Sequence, residues 1–147
     1  MSTVQQHKDA VRQYFDEVYN NHRDALLHDL FHPEFHDYSG HPGSGIHLAK
    51  HIVDFERSVF PDIHFTIENM TAEADDVVVQ LTIEGTHQGE FLKIAPTGQH
   101  VKFSAAQCMR FKDGKIVQVV WHLYDKLAML QQFGVLPTHV GGSFAAS

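Results

Sequence analysis

The apolar residues of this 147-residue chain change their period once, at Pro61. Before it they recur every three or four positions, which marks helices with one buried stripe; after it they alternate, which marks half-buried strands. Val4, Val11, Tyr14, Phe15, Val18 and Tyr19 predict a first helix over residues 3–20. After the break "NNHRD", the segment "DALLHDLF" predicts a short second helix, with Asp24 as its cap and Pro33 stopping it soon after. Ile46, Ala49, Ile52, Val53 and Val59 predict a third helix that ends before Pro61. Between the second and third helices, "HPEFHDYSGHPGSG" reads as a loop with one short strand near 35–38.

Beyond Pro61, "DIHFTIENM" and "DDVVVQLTIEGTH" alternate cleanly, and "VKFSAAQCMRF" meets "IVQVVWHLYD" through an Asp113-Gly114 hairpin turn. "KLAMLQQFG" is a short closing helix ending at Gly134. Helices first and a meander of antiparallel strands second predict an α+β domain, with a curved sheet wrapped over the helices. The boundaries expected are 1–136 for the domain and 137–147 for a loose tail.

Composition narrows the function classes. A formal charge of −7 argues against binding nucleic acid, which relies on clustered Lys and Arg. No stretch approaches the roughly 20 apolar residues that span a bilayer. Cys108 has no second cysteine to pair with, and the first residues carry no apolar signal run, so a cytoplasmic location is the expectation.

Strict alternation along 115–125 puts Val117, Val119, Trp121, Leu123 and Asp125 on one side and Ile116, Gln118, Val120, His122 and Tyr124 on the other. The same counting gathers Val101, Phe103, Ala105, Gln107, Met109 and Phe111 on one face of the preceding strand, with Cys108 opposite. A concave face of Phe103, Met109, Val119 and Trp121, with Gln107 and Asp125 as scarce polar groups, suits a small-molecule pocket. Asp125 then has two readings. In an apolar pocket its pKa rises and it becomes a base near neutral pH; otherwise it caps the helix that follows it.

The stretches "FPDIHFTIENM", "EGTHQGEF", "IAPTGQHVKF", "RFKDGKIV" and "WHLYDKLAMLQQFG" together resemble the SnoaL-like polyketide cyclases, often labelled predicted ester cyclases, of the NTF2-like superfamily. The resemblance implies a cone-shaped α+β fold, with helices in the concavity of a strongly bent antiparallel sheet around a deep pocket. It also implies a cofactor-free reaction. In the family's cyclases an aspartate on the last strand, in the place of Asp125, removes a proton beside a carbonyl, and the enolate closes a ring by intramolecular aldol addition. A His and Asp pair near the loop after the second helix is also implied, with His36, Asp37 and His41 as candidates. Where the cyclases usually carry a histidine on the strand "SAAQCMRF", this chain has Gln107 and Cys108.

The expected site therefore comprises Asp125, His36 and Asp37 as catalytic groups, with Gln107, His87, Trp121, Phe103, Met109, Tyr14 and His41 as substrate contacts. His87 is either a group at the pocket mouth or a histidine tied down at a strand end. Tyr14, Phe15 and Tyr19 serve as core or as pocket wall. The pairs His32/His36 and His47/His51 have the i, i+4 spacing that lets two imidazoles share a metal, but no further ligand motif supports them. The expected partner is a small molecule. Besides cyclisation, the alternatives are a hydrolase or hydratase, a hydroxylase or an isomerase using the same aspartate, or a non-catalytic ligand-binding module in which Asp125 is only a cap. The outer sheet face, with Val78, Val120 and Tyr124 among polar residues, joins the family resemblance in suggesting a homodimer.

Overall fold

Thr3 opens the first helix with a reciprocal cap: its hydroxyl accepts from the Gln6 N–H at 3.1 Å, while its own N–H donates to Gln6 Oε1 at 2.8 Å. The computed structural model describes residues 3–139. Helix α1 (Val4–Gln13) buries His7 and Val11 and then runs without a break into a π-helical segment, Tyr14–Asn20. The expected first helix is thus present in two geometries. The second decides which side chains meet: in an α-helix, residues five apart point about 140° away from each other, whereas π-helical winding brings them together. Tyr14 and Tyr19 accordingly touch, Oη to Oη at 3.2 Å.

A single 3₁₀ turn (Asp24–Leu26) leads into the four-residue α2 (Leu27–Leu30). Asp24 does not cap it as expected. Its carboxylate instead accepts from Arg57 at 2.8 Å and Lys50 at 2.9 Å, both on α3 (Gly45–Val59). Arg57 also donates to the Val18 carbonyl at 2.7 Å, so one guanidinium ties α3 to the π-helical segment. At the start of α3, Gly45 has φ +63°, and a Cβ there would lie 2.6 Å from the Pro33 carbonyl oxygen; only glycine lets the helix sit this close to the strand before it.

The five strands are β1 (Phe31–Asp37), β2 (His64–Glu73), β3 (Asp76–Thr86), β4 (His100–Lys112) and β5 (Lys115–Tyr124). They form one curved, unclosed sheet in the order β1-β5-β4-β3-β2, antiparallel except for β1, which lies parallel to β5 at the edge. That edge position accommodates Pro33, whose missing N–H breaks no central ladder. The Asp113-Gly114 turn forms as the sequence predicts, with φ of +53° and +78° and Lys112 paired to Lys115. Helix α4 (Lys126–Phe133) closes one end through the fully buried Met129.

Strict alternation fails in β5. Cys108 pairs with Trp121 but Met109 pairs with Val119, and Arg110 pairs with Gln118 but Phe111 with Ile116, leaving Val120 and Val117 as extra residues. Each of these two bulges advances the strand by one residue and turns over the faces that follow. Of the sequence 137–147, residues 140–147 lie outside the described ones. Among the described residues no helix is long and apolar enough to cross a membrane.

Candidate active site

The concave side of the sheet and the helices packed into it enclose a cavity of about 440 Å³, within the size range of small-molecule sites. Its walls are mainly aromatic. Phe15 and Phe65 approach at 5.0 Å between ring centroids and Tyr19 and Phe65 at 4.4 Å, with Phe60 and Phe103 further round the wall. Few polar side chains reach it: Asp37, His41, His51, Glu56, Gln107 and His122, together with the hydroxyls of Ser39 and several tyrosines.

Asp125 is not among them. It is exposed, and its Oδ1 accepts from the Ala128 N–H at 3.0 Å as the N-cap of α4, next to a shallow outer hollow floored by Ser104 and Ala106. The helix-cap reading describes its position, and the pocket reading does not. The bulge at Val120 is the reason: it puts His122 and Tyr124 on the same side as Val119, facing the cavity, while Trp121 stands opposite Cys108 on the outer side. Trp121 therefore does not line the cavity, and Tyr124, expected outside, does.

The other expected contacts divide. Tyr14, Asp37, His41, Phe103 and Gln107 all line the cavity. His36 is exposed on the far side of β1, with Nδ1 3.2 Å from the Glu34 carbonyl oxygen, because alternation from the buried Phe35 turns it away. Met109 is fully buried under the wall and accepts from Gln107 Nε2 at 3.4 Å. His87 is also fully buried but serves structure: its ring stacks on Phe133 at 4.0 Å, and its Nδ1 accepts from the Thr97 N–H at 3.2 Å. No group of three or more His, Cys, Asp or Glu side chains placed to hold an ion occurs among the described residues.

Glu56 is the group that sequence counting missed. It occupies the inward stripe of α3, four residues after Ile52 and three before Val59, where an apolar residue would be expected. It is half-buried in the cavity wall, and its Oε2, itself buried, has no hydrogen-bond partner. Burial pushes its pKa up to about 7, with the neighbouring Tyr19 hydroxyl pulling the other way. Burial likewise raises Tyr19 well above the usual phenol value and lowers His122, which is then a neutral imidazole around pH 7. The Arg57 bonds to Asp24 and Val18 fix α3 against the π-helical segment and so hold Glu56 beside Tyr19.

Fold and cavity together define an α+β scaffold in which a curved, unclosed sheet and its helices surround a cavity of small-molecule size. The family model described as SnoaL-like polyketide cyclase matches residues 9–133, and the chain belongs to that family of cyclase-type enzymes, within the NTF2-like superfamily. Among solved structures it is similar to TsrD from Streptomyces laurentii (TM-score 0.83, 21% identity, covering 92% of this chain and 100% of that one). It is also similar to AclR from Streptomyces galilaeus, described as a "putative hydroxylase" (TM-score 0.76, 26% identity, 92% and 89% covered). A SnoaL-like polyketide cyclase from Agrobacterium tumefaciens matches with TM-score 0.78 and 23% identity over 91% of this chain and 100% of that one. No curated protein matches the sequence.

Proposed function

We propose that this chain closes a ring in an apolar, oxygenated small molecule by proton abstraction and intramolecular aldol addition, with Glu56 rather than Asp125 as the base. One observation carries the reading: Glu56 lines an aromatic cavity with its buried Oε2 left without a hydrogen-bond partner, at a position where burial brings its pKa to about 7. A base poised near the working pH combines adequate strength with adequate population of the ionised form.

The steps balance without a further reactant. Glu56 takes the proton from a carbon between two carbonyls, and the resulting enolate carbon bonds to a second carbonyl carbon of the same molecule. The alkoxide formed there recovers a proton from the Glu56 carboxylic acid, so the product is an isomer of the substrate. The cavity contributes by holding the chain folded, since well-oriented intramolecular reactions avoid most of the entropic cost of meeting. The reading includes a homodimer joined through the outer sheet face, where Val78 and Leu123 are exposed; sedimentation velocity tests that part.

Deuterium exchange tests the first step directly. Incubating methyl esters of aromatic β-keto acids in D₂O, wild type should accelerate exchange at the carbon between the carbonyls, and Glu56→Gln should lose about 100-fold or more of that rate. Exchange undiminished in Glu56→Gln removes the mechanism. The likeness to AclR favours one second reading, in which the same cavity supports addition of oxygen. Product mass separates the two: ring closure leaves it unchanged, hydroxylation adds one oxygen atom, and hydrolysis or hydration adds one water.

A further inference from the structure

Two polar side chains of the cavity sit side by side on the sheet wall, away from Glu56 on the helix side. Gln107 on β4 and His122 on β5 are directly paired across the strands, and side chains so paired have Cβ atoms about 5 Å apart on one face. Both line the cavity. Val119 and His122 share this face because Val120 is an extra residue between them.

Their hydrogen-bonding capacity is largely unspent. Neither ring nitrogen of His122 has a hydrogen-bond partner among the described residues, and its plane is fixed instead by edge contacts with Tyr38 and Tyr124, at centroid distances of 6.2 and 6.0 Å. Gln107 is buried and gives one amide hydrogen to the Met109 sulfur at 3.4 Å, a weak acceptor, which leaves the second N–H uncommitted. Polar groups held at a largely apolar surface without partners are unfavourable until something fills them. Two neighbouring donors are suited to one acceptor, such as a carbonyl oxygen.

We propose that Gln107 and His122 together form a two-point site for a substrate carbonyl oxygen, the oxygen on which negative charge grows as the ring closes. This rests on the reading of the cavity as the site of an apolar ketone or ester. Its physical value lies in placing fixed donors where charge develops, on a largely apolar wall. Burial keeps the imidazole neutral, so it carries one N–H and acts as a hydrogen-bond donor without the net charge of an imidazolium. Glu56 and this pair would then divide the reaction between the helix wall and the sheet wall.

The test uses 9-fluorenone, a planar ketone with no removable proton, so binding and hydrogen bonding are read without turnover. Its carbonyl stretch in the wild-type protein should fall below the frequency found in hexane. His122→Phe and Gln107→Met should each move the band part of the way back and weaken binding about two- to tenfold, the size of one neutral hydrogen bond; the double variant should return it to the hexane value. Glu56→Gln should leave the shift in place. In the wild-type protein, the ring ¹⁵N resonances of His122 should also move on adding fluorenone, which keeps the test independent of whether a variant folds. Fluorenone that binds with an unshifted carbonyl, or with a shift that survives both substitutions, or with His122 resonances that stay put, overturns the two-point site alone. Fluorenone that fails to bind overturns the wider reading of the cavity as well.

Discussion

Asp125 and Glu56 are carboxylates placed next to apolar residues in the sequence, and the fold treats them in opposite ways. Asp125 ends the outer end of β5 in solvent, its oxygen satisfied by the Ala128 N–H. Glu56 stands on α3 in the cavity wall, and its buried Oε2 has no hydrogen-bond partner. The first satisfies an orphan N–H of a helix start, and the second is destabilised as an anion by burial. Apolar neighbours along the chain therefore say little about the basicity of a carboxylate. The side of the sheet or helix from which it projects decides.

The contrast is broken most severely by exchanging the charges for amides. Glu56→Gln should reduce turnover about 100-fold or more, whereas Asp125→Asn should leave it near wild type; the reverse pattern in a kcat comparison would return the base to the outer end of β5. Wild-type turnover should rise with pH as Glu56 loses its proton, with a midpoint of about 7, and flatten above it.

Stability should distinguish the two sites next. Glu56 titrates at about 7 in the folded protein against 4.5 for the ordinary side chain. Between those values the folded protein holds a proton that the unfolded chain has lost, so this group makes stability fall as pH rises through that window. Relative to wild type, Glu56→Gln should accordingly gain on the order of 2–3 kcal/mol at pH 8 and show little difference below pH 4. Thermal melts of both proteins across that range check the sign.

Asp125→Ala should cost about 1 kcal/mol, or several degrees in Tm, through the lost cap. That loss should appear without loss of fluorenone binding, and a variant that stays as stable as wild type would show that the cap contributes nothing. The smallest effect expected is at Tyr19→Phe, which removes the hydroxyl that holds the Glu56 pKa down and should move its titration upward.

Much of the architecture was legible in the sequence because it rests on periodicity. The change at Pro61, the stripe of α3, the alternation of β2 and β3 and the Asp113-Gly114 turn each follow from local rules, and each is present. The site was less legible because it depends on departures from those rules. The bulge at Val120 changes the face after Val119, exchanging Trp121 for His122 at the cavity, and nothing in an alternating string of Val and Trp marks an extra residue. The π-helical turn that joins Tyr14 to Tyr19 is equally silent, since its residues fit an α-helical stripe. Glu56 did leave a signal. A carboxylate in line with Ala49, Ile52, Val53 and Val59 breaks an otherwise apolar face, and a charge at such a position points either to a buried partner or to function.

The claim that the inner carboxylate is the base can be tested before any substrate is known, by following the side-chain carboxyl ¹³C resonance of Glu56 through a pH titration, with Asp125 as the internal comparison. The account predicts a midpoint of about 7 for Glu56 that Asp125→Asn leaves unchanged. A Glu56 midpoint near 4.5, the ordinary value, would contradict it.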